Sequence, residues 1–301
     1  MKTVYYLQPS SFCFGVQKSI QELEKLIADN PKKKIYCIHE LVHNPRISKY
    51  LKDLGVRFVQ SIYDVYDQDA IIVFSAHGTN RVIISQAEKK FEHVFNLECP
   101  FVTKIYREAD AYLKDGITTF FYVGKYHHQE GKNIVEYLLS HNVNIYVFDN
   151  SKNIPQIDKK EKIGILSQTT LNYQKTKEIF EIIRKKYSNA IFPAPSDICK
   201  ATYERQQVII DNINKFKTLV VIGGKESNNG RELYEIGIKS NKQTIFGESL
   251  ADVMQLQKKE LFENETIAVT GGASTPKEDI QEVVDFLITN GYKKEILTLG
   301  K

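Results

Sequence analysis

The chain has 301 residues, 42% of them apolar and 26% charged, and a net charge of +4. That length supplies one large or two to three ordinary domains, and a small charge that is never gathered into a long block argues against nucleic-acid and membrane binding. No run approaches the ~18 consecutive apolar residues of a membrane span, and "MKTVYYLQPSSF" lacks the apolar core of a signal peptide, so a cytoplasmic protein is expected.

From the N-terminus, a strand-like start passes through "PSSFCFGVQKSI" at 9–20 into a helix, with Val16, Ile20, Leu23 and Ile27 on one face and Cys13 just ahead of it. Short apolar runs then alternate with helix-period segments. The runs are "KKIYCIH" at 33–39, "AIIVFSAH" at 70–77, "TTFFYVG" at 118–124, "NIYVFD" at 144–149, "KIGILSQ" at 162–168, "TLVVIGG" at 218–224 and "TIAVTGG" at 266–272. Runs of that length, apolar on both faces and separated by helices such as "NYQKTKEIFEIIRKKY" at 172–187, indicate βαβ units and parallel sheets. The expected class is α/β, and the Pro-rich "FPAPSD" at 192–197 is a candidate domain boundary.

Cys13, Cys99 and Cys199 share one setting: each follows an extended segment and opens an amphipathic helix. Free N–H groups and the positive end of a helix favour the thiolate, the form that binds metal. About 25 residues beyond each comes a polar strand end ("HELVHN", "GKYHHQE", "GGKESNN"), and a second one follows in each third ("SAHG", "SQTT", "TGGAST"). The spacing predicts three similar parallel-sheet domains, 1–96, 97–195 and 196–301, in a pseudo-threefold arrangement with the polar strand ends facing a shared centre.

No C-x-x-C pair exists, and disulfides are not expected without an export signal. Three separated thiolates suit an iron-sulfur cluster or zinc with one position left open. A zinc-dependent hydrolase or lyase on a phosphorylated small molecule, and a phosphate-binding module with buried cysteines, are the competing readings. Cys37, inside a strand, reads as a small buried hydrophobe. Five of the seven histidines, His39, His43, His77, His127 and His128, lie at strand ends; with Ser227, Asn229 and Ser274 they indicate an anionic, diphosphate-like ligand. Glu130 is a carboxylate at one of these ends, and enclosure there would raise its pKa and let it hold a proton.

The motifs "FCFGV", "HELVHN", "FSAHG", "ECPFVTK", "HHQE", "SQTT", "DICKAT", "GGKESNN" and "TGGASTP" stand in the order and spacing of the IspH/LytB family of 4-hydroxy-3-methylbut-2-enyl diphosphate reductases, which the chain resembles from residue 10 to about 280. The resemblance implies a three-domain trefoil and reductive removal of the allylic hydroxyl of that diphosphate, giving isopentenyl and dimethylallyl diphosphates, the last step of the non-mevalonate isoprenoid pathway. It implies a 4Fe-4S cluster on Cys13, Cys99 and Cys199 with one open iron, degrading to 3Fe-4S in air. It places diphosphate contacts on His43, His77, His128, Ser227, Asn229 and Ser274, a proton-relay acid on Glu130, and an organiser of hydroxyl and water on Thr169. A ferredoxin- or flavodoxin-type electron donor is implied as well, and a monomeric chain is expected. Four positions depart from the family pattern: Asn228 stands where a second serine is usual and is taken as a further substrate contact, Gln129 replaces a proline, Glu98 a small polar residue, and Tyr106 a frequent histidine.

Overall fold

A computed structural model describes residues 2–255 and 264–300. The first half of the chain runs β1 (Thr3–Leu7), α1 (Phe14–Asp29), β2 (Ile35–Ile38), α2 (Pro45–Asp53), β3 (Arg57–Val59), β4 (Ile71–Phe74), α3 (Arg81–Lys90), β5 (His93–Asn96), α4 (Pro100–Lys114), β6 (Thr119–Val123), α5 (Gln129–Leu139) and β7 (Asn144–Phe148). It continues with β8 (Ile163–Ser167), α6 (Tyr173–Lys186), β9 (Ala190–Ile191), α7 (Lys200–Asp211), β10 (Thr218–Ile222), α8 (Asn228–Lys239), β11 (Gln243–Gly247), β12 (Thr266–Gly271), α9 (Lys277–Thr289) and β13 (Lys293–Leu297).

These strands form three wholly parallel sheets, β11-β10-β12-β1-β13, β3-β2-β4-β5 and β7-β6-β8-β9. Parallel sheets are covered by helices on both faces, which is why their strands read as unbroken apolar runs. In β10, Val220 and Ile222 pack with Val283 and Leu287 of α9, while Leu219 and Val221 face the other way toward Val208, Ile209 and Leu233. In β6, Phe120 and Tyr122 pack with Ile105 and Ala109 of α4, and Phe121 and Val123 with Ile179 and Ile183 of α6. Truncating a fully buried ring such as Phe120 costs about 3–5 kcal/mol.

The chain divides into two compact units, Met1–Val16 with His43–Arg46 and Lys200–Lys301, and Gln17–Val42 with Ile47–Cys199. The five-stranded sheet lies in the first, and the two four-stranded sheets lie in the second. Strand β1, which the spacing assigns to the first third, pairs instead with β12 and β13 of the last third, Tyr5 opposite Ala268 and Glu295. Periodicity reveals that a segment is a strand but not which strand it pairs with, and a parallel partner can come from any distance along the chain. Among the described residues no helix is long and apolar enough to cross a membrane.

Candidate active site

Each of the three helix-heading cysteines is held by its backbone. The Cys13 N–H donates to the Ala273 carbonyl at 2.9 Å, and its Sγ receives the Val16 N–H at 3.5 Å, inside the first turn of α1. Cys99 is the N-cap of α4 with Pro100 following; its N–H reaches Ala76 O (3.1 Å), and its carbonyl accepts from Val102 and Thr103 at 2.9 and 3.0 Å. Cys199 is buried directly ahead of α7, its N–H on the Thr169 carbonyl at 3.1 Å. All three are thiols outside any disulfide, at positive helix ends, a donor set whose chemistry fits a soft metal centre. Cys37 differs: it is fully buried in β2, heads no helix, and burial pushes its thiol pKa upward.

The second unit gathers Glu130, Thr169, His128 and His77 at the ends of β4, β6 and β8. Thr169 donates twice to Glu130, from its N–H to Oε1 at 2.6 Å and from its hydroxyl to Oε2 at 2.8 Å. The carboxyl is 4% exposed, and burial raises its pKa to about 7 against the pull of both Thr169 bonds, with the Glu98 charge adding to the rise. Burial rather than a neighbouring anion is thus the chief cause. His128 caps α5, its Nδ1 accepting the Glu130 N–H at 3.2 Å, which places the ring proton on Nε2. The His77 ring meets His128 edge-on, with centroids 6.0 Å apart. Gly131 lies so close to the Lys125 carbonyl that any side chain would collide with it, which lets α5 start hard against the turn. Asn133 donates to Gly78 O at 2.6 Å, tying the "SAHG" turn to α5.

In the first unit, Ser227 caps α8 by accepting the Gly230 N–H (3.3 Å), and Asn228 is the buried first residue of that helix. Asn229 is a clamp: its Nδ2 donates to Thr202 Oγ1 at 3.1 Å and its Oδ1 accepts the Ala273 N–H at 2.9 Å. The Ser274 hydroxyl donates to the His43 carbonyl at 3.2 Å, and Gly224 packs against that same carbonyl where a Cβ would clash. The 43–46 segment is secured further by Arg46, which pairs with Asp279 of α9.

Two of the four departures turn out to be one feature. Glu98, buried, takes a bidentate bond from Arg81 (3.0 and 2.7 Å) and another from the Thr103 hydroxyl (2.8 Å), and the Arg81 guanidinium lies 4.0 Å over the Tyr106 ring. The extra carboxylate and the tyrosine therefore share one cation. Sequence reasoning missed Arg81, Lys104 and Asp197; a charged residue two positions before a helix-heading cysteine in "SDICK" was the signal for the last.

Parallel sheets whose helices are headed by thiols, with imidazole, hydroxyl and amide groups and a protonatable buried acid at the strand ends, define the class: an α/β protein that gathers thiols and polar side chains at the carboxyl ends of its strands. The family model described as LytB protein matches residues 4–288, and the chain belongs to that family. A 4-hydroxy-3-methylbut-2-enyl diphosphate reductase of Buchnera aphidicola subsp. Schizaphis graminum is 34% identical over 296 residues, 96% of this chain and 92% of its own length. One of that name from Wolbachia pipientis subsp. Culex pipiens is 30% identical, with 94% and 91% covered. Among solved structures, the E-1-hydroxy-2-methyl-but-2-enyl-4-diphosphate reductase of Plasmodium falciparum superposes with a TM-score of 0.91 at 25% identity, over 100% of this chain and 93% of that one. The structure of (E)-4-hydroxy-3-methyl-but-2-enyl diphosphate reductase, the terminal enzyme of the non-mevalonate pathway, gives a TM-score of 0.65 at 26% identity, over 96% of this chain and 100% of its own.

Proposed function

We propose that the chain catalyses the reaction for which its relatives are named, the reductive dehydroxylation of 4-hydroxy-3-methylbut-2-enyl diphosphate to isopentenyl and dimethylallyl diphosphates. The observation that carries this is the Glu130–Thr169–Cys199 connection: a buried acid with a pKa of about 7 is bonded to the residue whose carbonyl holds the N–H of a helix-heading thiol. Cys13, Cys99 and Cys199 would hold the cluster. When bound, a 4Fe-4S centre with three protein ligands supplies electrons one at a time and a Lewis-acid iron without a protein ligand.

The reaction consumes two electrons and two protons; the allylic C–O bond breaks, one proton leaves with the hydroxyl as water, and the other ends on carbon. Glu130 supplies the first. Its carboxyl is charged or neutral near pH 7 at little cost, which suits repeated release and recovery of a proton. Thr169 fixes the direction of that carboxyl through two bonds and orients the hydroxyl. His43, His77, His128, Ser227, Asn228, Asn229 and Ser274 bind the diphosphate, the Nε2–H of His128 serving as one donor, and so hold the allylic end in place. Reducing equivalents come from a ferredoxin- or flavodoxin-type donor to a monomeric chain in the cytoplasm.

Anaerobic purification tests the proposal. A brown protein with about four iron and four sulfide per chain that reduces the diphosphate with a chemical electron donor supports it. A colourless, zinc-loaded protein without reductase turnover overturns it in favour of a hydrolase or lyase.

A further inference from the structure

Within the second unit, one partly buried ion pair joins residues to which neither the sequence reading nor the proton relay assigns a role. The Asp197 side chain, with 0% of its surface exposed, accepts Lys104 Nζ at 2.8 Å and the Ser167 N–H at 2.7 Å. Lys104 stands on α4, the helix headed by Cys99, and Glu108 one turn along holds it at 2.7 Å. Ser167 closes β8 and leads through Gln168 to Thr169, and Asp197 lies two residues before Cys199. One carboxylate therefore joins the Cys99 helix, the strand end that carries Thr169, and the turn that delivers Cys199.

An ion pair with one partner wholly buried adds little net stability, because desolvation offsets most of the attraction. Its directional bonds can instead fix one arrangement of the segments it links. We propose that Asp197 is a positioning residue, which through Lys104 and Ser167 holds the Cys99 and Cys199 segments in the spacing that loading of the metal centre requires. This inference rests on the cluster assignment above, but part of its test does not need the cluster.

Iodoacetamide labelling of the metal-free chain, followed cysteine by cysteine by mass spectrometry, reads the local effect. In Asp197→Asn, Cys199 should react about tenfold faster as its turn opens locally, while Cys37, 0% exposed, stays protected and reports an intact fold. After anaerobic loading with iron and sulfide, the same variant should lose iron to a chelator about tenfold faster than the wild type, the usual order for a lost supporting bond. Its electron paramagnetic resonance spectrum should be altered too. Lys104→Met should reproduce both effects, and Lys104→Arg should restore the wild-type values. Unchanged Cys199 labelling and iron retention in Asp197→Asn would overturn the inference. So would labelling of Cys37 alongside Cys199 in both Asp197→Asn and Lys104→Met, because the pair would then be a general element of fold stability. A wild-type chain that takes up no cluster would sink the proposed function instead, and leave the labelling comparison readable.

Discussion

The Glu130 corner and the Asn229 corner are built alike and equipped differently. Each stands at the C-terminal ends of parallel strands, and each opens a helix with a side-chain N-cap, His128 for α5 and Ser227 for α8. In the first, a single titratable group is buried and both its oxygens are engaged by one threonine. In the second, the side chains are neutral amides and hydroxyls bonded to backbone and to one another. One corner can change its charge at neutral pH; the other offers fixed dipoles. On the proposed reading the titrating acid belongs to the first corner alone, while anion contacts come from both, and each of the following measurements strains that division.

The largest effect should come from the thiols, which belong to both units. Cys13→Ser in one unit and Cys199→Ser in the other are each expected to abolish reductase turnover and to lower iron and sulfide per chain sharply, since a serine hydroxyl is a poor ligand for a soft centre. Full cluster content and activity in either variant would remove that cysteine from the proposed ligand set. Next in size is Glu130→Gln. The amide oxygen can still accept the Thr169 N–H, and the amide N–H can donate to the Thr169 hydroxyl, so the corner keeps its shape and loses only its acid. Turnover should fall by about 10²–10⁴ with cluster content unchanged. Normal turnover would remove Glu130 as the proton source.

A third measurement needs neither cluster nor substrate. Folded Glu130 keeps its proton up to about pH 7, whereas an unfolded glutamate loses it near 4.5. The folded chain therefore binds more protons across that window. This group's contribution to stability is greatest below about pH 4.5, declines as pH rises toward 7, and is constant beyond, a change of about 3 kcal/mol. Urea unfolding of the metal-free chain at pH 5 and pH 8 should show that decline, and Glu130→Gln should flatten it. Equal slopes in the two proteins would mean the carboxyl is not held neutral by burial. In the loaded enzyme, the same titration should bring kcat down above about pH 7 as the acid empties.

Much of this is legible in the sequence. Unbroken apolar runs such as "AIIVFSAH" report strands covered on both faces, and a polar residue just beyond each run marks a strand's ligand-facing end. The cysteines stood out because a thiol immediately ahead of an amphipathic helix has one electrostatic environment wherever it occurs. What stayed hidden was pairing over distance. Nothing local in "TVYYL" says that it slots between β12 and β13, nor does "CPFVTK" say that its lysine meets Asp197, 93 residues away. Glu98 and Tyr106 looked like two unrelated departures until Arg81, a residue with no signature of its own, was found between them.

The smallest expected effect tests the Asn229 corner. Asn229→Ala deletes the acceptor of the Ala273 N–H and the donor to Thr202 Oγ1, both in buried surroundings, and the loss of the two bonds should cost about 2 kcal/mol in urea unfolding. Ala273 lies between the Cys13 N–H, which its carbonyl accepts, and Ser274, which bonds the His43 carbonyl; the amide therefore steadies the turn on which a thiol and a proposed diphosphate contact both depend. If this corner serves only to hold the anion, KM should rise while kcat and its fall above pH 7 stay as in the wild type, because the loss is felt equally in ground and transition states. A displaced pH profile would mean that the fixed dipoles and the titrating acid act as one device, and the division of labour between the two corners would have to be given up.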